Sequence, residues 1–200
     1  MTSWREYGPV DLPSPLAAAL AAFAEHGYHG TSVRDIAARA GLSVPGLYHH
    51  YPSKQSLLQG LCEITMMDLL RRSQEALDEA GQDPVRRFDA LTESLLRFHM
   101  FRREQAFVAS TEIRSLDAGY REIYVGHRDR QQRMIEGVVD AGVEAGVFTT
   151  GYPKDAARAL ATMAVGVSTW FTPSGPLTAD ELVRRNLQIA HDMVRYVSPV

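Results

Sequence analysis

FAEHGYHGTSVRDIAARAGLSVPGLYHHYPSKQSLLQGL, residues 23–61, decides how the rest of the chain is read. Within it Val33, Ile36, Ala37 and Ala40 recur at helical spacing, one core-facing stripe on a short helix expected over about 32–40 and opened by Thr31 or Ser32. Gly41 stands where a left-handed residue would close that helix. Ser43 then caps a second short helix, whose first turn tolerates Pro45 because an amide there would have no intrahelical acceptor. Val44, Leu47, Tyr48 and Tyr51 repeat the stripe, Pro52 stops the helix, and Ser53 caps a long successor reaching toward Ala80. Two short amphipathic helices around a glycine-containing turn are a helix-turn-helix signature, moderately specific by itself.

The wider string sharpens that reading. Phe23, Gly27, Thr31, Ile36, Ala37, Gly41, Ser43, Gly46, Leu47, Tyr48, Tyr51, Lys54 and Leu57 stand in register, without gaps, in a pattern that strongly resembles the DNA-binding domain of the TetR family of repressors. The resemblance covers about 45 residues; the remainder matches that family in length and helical layout. It implies an all-α fold, with an N-terminal three-helix DNA-binding domain over residues 1–55. A helical effector-binding and dimerisation domain would occupy 56–200.

In a helix-turn-helix the N-terminal residues of the second helix reach base edges in the major groove. The expected DNA-binding residues are Thr31, Arg34, Ser43, Val44, Pro45, Gly46, Tyr48, His49 and Lys54. Small residues at 44–46 let the backbone come close to the bases, and Val44 and Pro45 suit a thymine methyl. Helix N-termini at Thr31, Ser43 and Ser53 offer amides and hydroxyls to phosphates. By resemblance, Lys54 is placed for a backbone phosphate, and Arg34 occupies a position from which some family members read a guanine. Two readings stay open for Tyr48, a DNA contact or a core residue on the apolar stripe, and for Arg34 and Arg39, contacts or solvated charges. His50 is expected to pack beneath helix 1, read over about 15–26, or helix 4, the long one that Ser53 caps.

Charge gives the DNA reading no help. Net charge is −3, and through residue 57 the four cations Arg5, Arg34, Arg39 and Lys54 meet four anions, Glu6, Asp11, Glu25 and Asp35. Family members often begin with an arginine-rich arm; here only Arg5 precedes helix 1, so groove contacts from the N-terminus are left open. Pro9, Pro13 and scattered polar residues make 1–14 look like a loose lead-in.

Beyond Gly81-Gln82-Asp83-Pro84, helices are expected over about 84–102, 104–116, 119–145, 154–171 and 178–197. The first carries Phe88, Leu91, Leu95 and Phe98. The last carries a seam of Val183, Leu187, Ala190, Val194 and Val197, flanked by Leu182, Ile189, Met193 and Tyr196. Two apolar faces on a terminal helix suit one face for the protomer and one for a partner. With the small residues of 154–171, they form by resemblance a homodimer interface. His99, Phe107, Tyr124, His127, Met163 and Trp170 are the candidate ligand-binding residues, an apolar set with a few polar anchors. Residues 170–178 are weakly similar to family members that regulate lipid or acyl-CoA degradation, which implies a small apolar or acyl-CoA-like effector.

No serine elbow, phosphate loop, cysteine pair or His-Glu-x-x-His motif is present, so no catalytic residue, metal or cofactor is expected. The lone Cys62 lies in an apolar stretch and reads as a buried thiol. With neither a signal peptide nor a span long enough for a bilayer, the chain is expected to be soluble and cytoplasmic, without a membrane partner. The expected partners are a near-palindromic double-stranded operator, a small effector and a second copy of the chain. A constitutive DNA-binding protein without effector, or an enzyme with an unrecognised site, are the alternatives.

Overall fold

The capping residues settle the helix-turn-helix first. In a computed structural model that describes residues 3–198, the side-chain oxygen of Ser32 accepts from the Asp35 amide, and that of Ser43 from the Gly46 amide at 3.1 Å. Helix α1 runs Ser14–Gly30, broken at Gly27, whose φ of 69° suits glycine; α2 is Val33–Arg39 and α3 is Val44–His50. At the end of α2 the Gly41 amide donates to Ala38 O and the Leu42 amide to Ala37 O, the paired bonds that a left-handed residue at 41 makes possible. α4, Lys54–Ala80, opens on a reciprocal cap in which Ser53 and Ser56 each accept the other's amide.

Further along come α5 (Pro84–Phe101), α6 (Arg103–Thr111), a 3-10 turn (Glu112–Ser115), α7 (Ala118–Glu144), α8 (Pro153–Trp170) and α9 (Ala179–Val194). The described residues are all-α apart from an isolated bridge between Phe148 and Tyr196. α6 ends short of the expected 116. The Ser110 and Thr111 hydroxyls turn back onto Phe107 O, and Arg121 holds the carbonyls of Ile113, Arg114 and Leu116 in the turn that follows. α9 ends at Val194 because Arg195 adopts a left-handed φ of 54°. The tail then pairs back, with the Val197 amide donating to Val147 O.

The chain divides into two compact units, 8–68 with 104–127, and 1–7 with 69–103 and 128–200. In the first, Leu16, Ala19 and Phe23 of α1, Ile36 of α2, Leu47 of α3 and Leu57, Leu58 and Leu61 of α4 are buried. Each of these leucine, isoleucine and phenylalanine side chains contributes roughly 1.5–3 kcal/mol through burial. Gln55, Gln59 and Glu63, on one face of α4, reach Ser115 O, Asp117 and His127 in turn. In the second unit α5 packs along α8 and α9, and its Phe88, Leu91, Leu95 and Phe98 are all buried. Phe88 meets Phe148 edge-on at 4.9 Å.

Residues 3–7 correct part of the loose lead-in expected over 1–14. Trp4 is buried against Ala76, Ala80 and Ala90 of the second unit, so residues 3–7 are docked.

Candidate functional site

Leu47 is the fully buried anchor of α3, and the rest of that helix turns outward around it. Pro45, His49 and His50 are exposed, Tyr48 is 44% exposed, and Val44 and Gly46 are half-buried. Tyr48 is therefore no core tyrosine. His50 does not pack beneath a neighbouring helix as expected; it meets only the edge of His49 at 5.5 Å among the described ring contacts. A Cβ at Gly46 would stand 3.2 Å from Ser43 Oγ, so a side chain there would crowd the cap.

Two expected phosphate ligands are turned inward. Thr31 is buried, and its hydroxyl donates to Ala22 O at 3.0 Å and Gly27 O at 2.8 Å, leaving Ser32 to cap α2. Lys54 Nζ donates to Tyr28 O at 2.7 Å and Thr31 O at 2.8 Å, and lies 4.2 Å from the centre of the Tyr28 ring. Burial lowers its pKa, against the field of Glu112. Lys54 thus ties the start of α4 to the end of α1. The exposed Arg39 is committed to Glu25 and Asp35. Arg34 is exposed and makes no ion pair among the described residues.

The six candidate ligand residues do not gather in one unit. His99, Met163 and Trp170 belong to the second; Phe107, Tyr124 and His127 belong to the first. Trp170 is 57% exposed and Phe107 40%, so both face outward where a pocket lining was expected. Tyr124 is buried, and His127 Nε2 sits 3.3 Å from Glu63. His99 is buried on α5, its Nδ1 2.8 Å from Leu95 O. A carbonyl can only accept, so Nδ1 carries the proton and Nε2 is left as an acceptor. Burial, with the Arg128 charge beside it, lowers the His99 pKa to about 4 and keeps the ring neutral. The hydroxyls of Ser73, Thr92 and Ser94 in the same unit are buried without a protein partner.

Sequence reasoning missed Ser73, Thr92 and Ser94, since a serine or threonine within an apolar helix carries no pattern of its own. It also gave Trp4 and Arg72 no role. Among the described residues there is no cluster of three or more His, Cys, Asp or Glu able to hold a metal, and no helix long and apolar enough to cross a membrane. Cys62 is buried, and burial pushes its thiol up to about 12.

Residues 16–61 match the bacterial regulatory proteins of the tetR family, and residues 81–194 match the tetracyclin repressor-like C-terminal domain. The chain belongs to the TetR family. Similar TetR-family proteins include the transcriptional repressor KstR2 of Mycobacterium tuberculosis (strain ATCC 25618 / H37Rv). It is 31% identical over 176 residues, which cover 87% of this chain and 88% of KstR2. The structure of that ketosteroid transcriptional regulator superposes at a TM-score of 0.84 and 25% identity, over 96% of this chain and 99% of its own. PfmR, a TetR-family regulator from Thermus thermophilus, superposes at 0.81 and 30% identity, over 92% and 99%. AibR, crystallised with isovaleryl coenzyme A and operator DNA, shares the fold at 0.77 and 23% identity, over 92% and 98%. As a TetR-family regulator, the chain is a helix-turn-helix protein of transcription control.

Proposed function

We propose that this TetR-family protein is a repressor that binds a near-palindromic operator as a homodimer and leaves it when a small acyl-CoA-like effector binds. The observation that carries the DNA half is α3 itself. It is anchored by Leu47 and capped by Ser43, and it turns Pro45, Tyr48 and His49 outward, beside the half-buried Val44 and Gly46, where bases would be read. Arg34, exposed and without an ion partner among the described residues, is the candidate guanine reader. One such helix makes too few contacts for operator-grade affinity, so two copies are required. The copies would pair through α8 and α9. Leu182, Val183, Ala190 and Val194 are buried within the protomer, whereas Ile189 is 46% exposed and Leu187 and Met193 are only partly covered.

For the effector half, Ser73, Thr92 and Ser94 supply buried hydroxyls, and the neutral His99 adds an acceptor. Leaving a buried hydroxyl unpaired costs roughly 1–3 kcal/mol, so such groups favour a ligand that pairs them. AibR's isovaleryl coenzyme A adds support for a thioester. α4 is shared by both units and begins at the helix-turn-helix, which makes it the route by which an effector would reach α3.

The test is a fluorescence titration of a duplex selected from a random pool, challenged with acyl coenzymes A of increasing length. Release of the duplex by one of them is expected, and that thioester must bind more weakly to the DNA complex by the same factor. Equal affinity for free and DNA-bound protein would remove it as an effector.

A further inference from the structure

Residues 3–7 are built into the second unit by contacts that no lead-in needs. Trp4 is 3% exposed, and its indole N–H donates to Glu79 Oε2 at 2.8 Å. Arg5 lies 3.8 Å from the centre of the Trp4 ring, donates twice to the Glu93 carboxylate and once to Glu79. Its fork is thereby filled by carboxylates, the groups with which a phosphate would compete. Arg72 of α4, 6% exposed, donates to Trp4 O at 2.7 Å and Glu6 O at 3.0 Å, so a buried guanidinium is spent on the backbone of the segment. Its far side covers the Tyr7 ring at 3.9 Å, and Tyr7 stacks on Phe101 of α5 at 5.0 Å.

Residues 8–13 alone separate this docked segment from the start of α1 at Ser14, and two of them are prolines. Six residues span at most about 20 Å, and proline narrows the conformations open to them.

We propose that residues 3–7 are a strap fastened to α4 and α5 that stays seated when DNA binds and does not enter a DNA groove. The proposal rests on the operator-binding reading above. With Trp4 buried and the Arg5 fork filled by Glu79 and Glu93, neither side chain is left to reach a phosphate or a base edge.

The test is selection from a random duplex pool by the full chain, by Trp4→Ala and by Arg5→Ala, with folding of each followed by circular dichroism. The wild-type pool is expected to converge on one half-site sequence at one spacing. Trp4→Ala and Arg5→Ala should both recover the same half-site with the same flanking bases. Loss of flanking A·T preference with Arg5→Ala overturns the strap and restores a groove-binding arm. A wild-type pool with no enriched sequence instead fails the operator-binding reading. Should Trp4→Ala not fold, Trp170→Phe leaves Trp4 as the sole indole. Its emission should stay blue and shielded from acrylamide when duplex is added, and exposure on DNA binding would overturn the strap.

Discussion

Lys54→Ala separates two roles for one side chain. Its ammonium makes two hydrogen bonds to the carbonyls of Tyr28 and Thr31 and lies over the Tyr28 ring. Hydrogen bonds from charged groups contribute roughly 1.5–3 kcal/mol each, and a cation over an aromatic ring about 0.5–1 kcal/mol at an exposed site. Lys54 is only half-buried, so water would reach both carbonyls after truncation, and the net loss is nearer about 2 kcal/mol. For a chain of 200 residues that lowers the melting temperature by about 4–8 °C. A lysine on a phosphate behaves otherwise. Removing it leaves stability alone and reduces the slope of log affinity against log salt by about 0.9 per chain, or about 1.8 for the two chains on one duplex. Melting by circular dichroism and duplex affinity at several salt concentrations give both readouts from one variant. The expected result is a lower melting temperature with an unchanged salt slope. An unchanged melting temperature with a slope reduced by about two units would refute the inward role of Lys54.

Arg34→Ala should cost about 1–3 kcal/mol of duplex affinity per half-site and relax preference at one base pair in each, and an unchanged base profile on selection would remove it as a reader. Gly142→Ala would place a methyl inside the ring of the buried Phe148, which packs on Phe88. A loss of about 3 kcal/mol or more is expected from the urea midpoint, because α7 or the aromatic pair must give way. His99 titrates in the fold at about 4 against its ordinary 6.5, so its neutral ring contributes stability above about 6.5 that is lost as pH falls toward 4. His99→Gln should flatten the dependence of the urea midpoint on pH across that window, and an unchanged dependence would assign the acid loss to other groups.

The helix-turn-helix was legible because its signals are local. Gly41 and Ser43 act on amides within three residues of themselves, and Leu47 sits in a stripe visible within one helix turn. What depended on phase was less secure. Thr31 and Ser32 are adjacent cap candidates, and the extra turn of α1 after Gly27 seats Thr31 inside and leaves Ser32 to cap. Contacts between distant parts of the chain left no periodic trace. Trp4 meets Glu79, and Arg72 meets the backbone of Trp4 and Glu6, across more than sixty residues in each case. Val197 fell off the expected seam because Arg195, with no glycine to announce it, turns the chain out of α9 and leaves Val197 51% exposed. The aromatic and histidine set read as a pocket was chosen by residue type, which cannot say whether Trp170 faces in or out. The buried hydroxyls of Ser73, Thr92 and Ser94 needed the fold to be seen.

Operator binding by two recognition helices is tested most directly by sedimentation equilibrium of the chain with a selected duplex, repeated as salt is raised. Two chains per duplex are expected, with affinity falling steeply between low and moderate salt as phosphate contacts release counterions. One chain per duplex at saturation, or an affinity indifferent to salt, would contradict it.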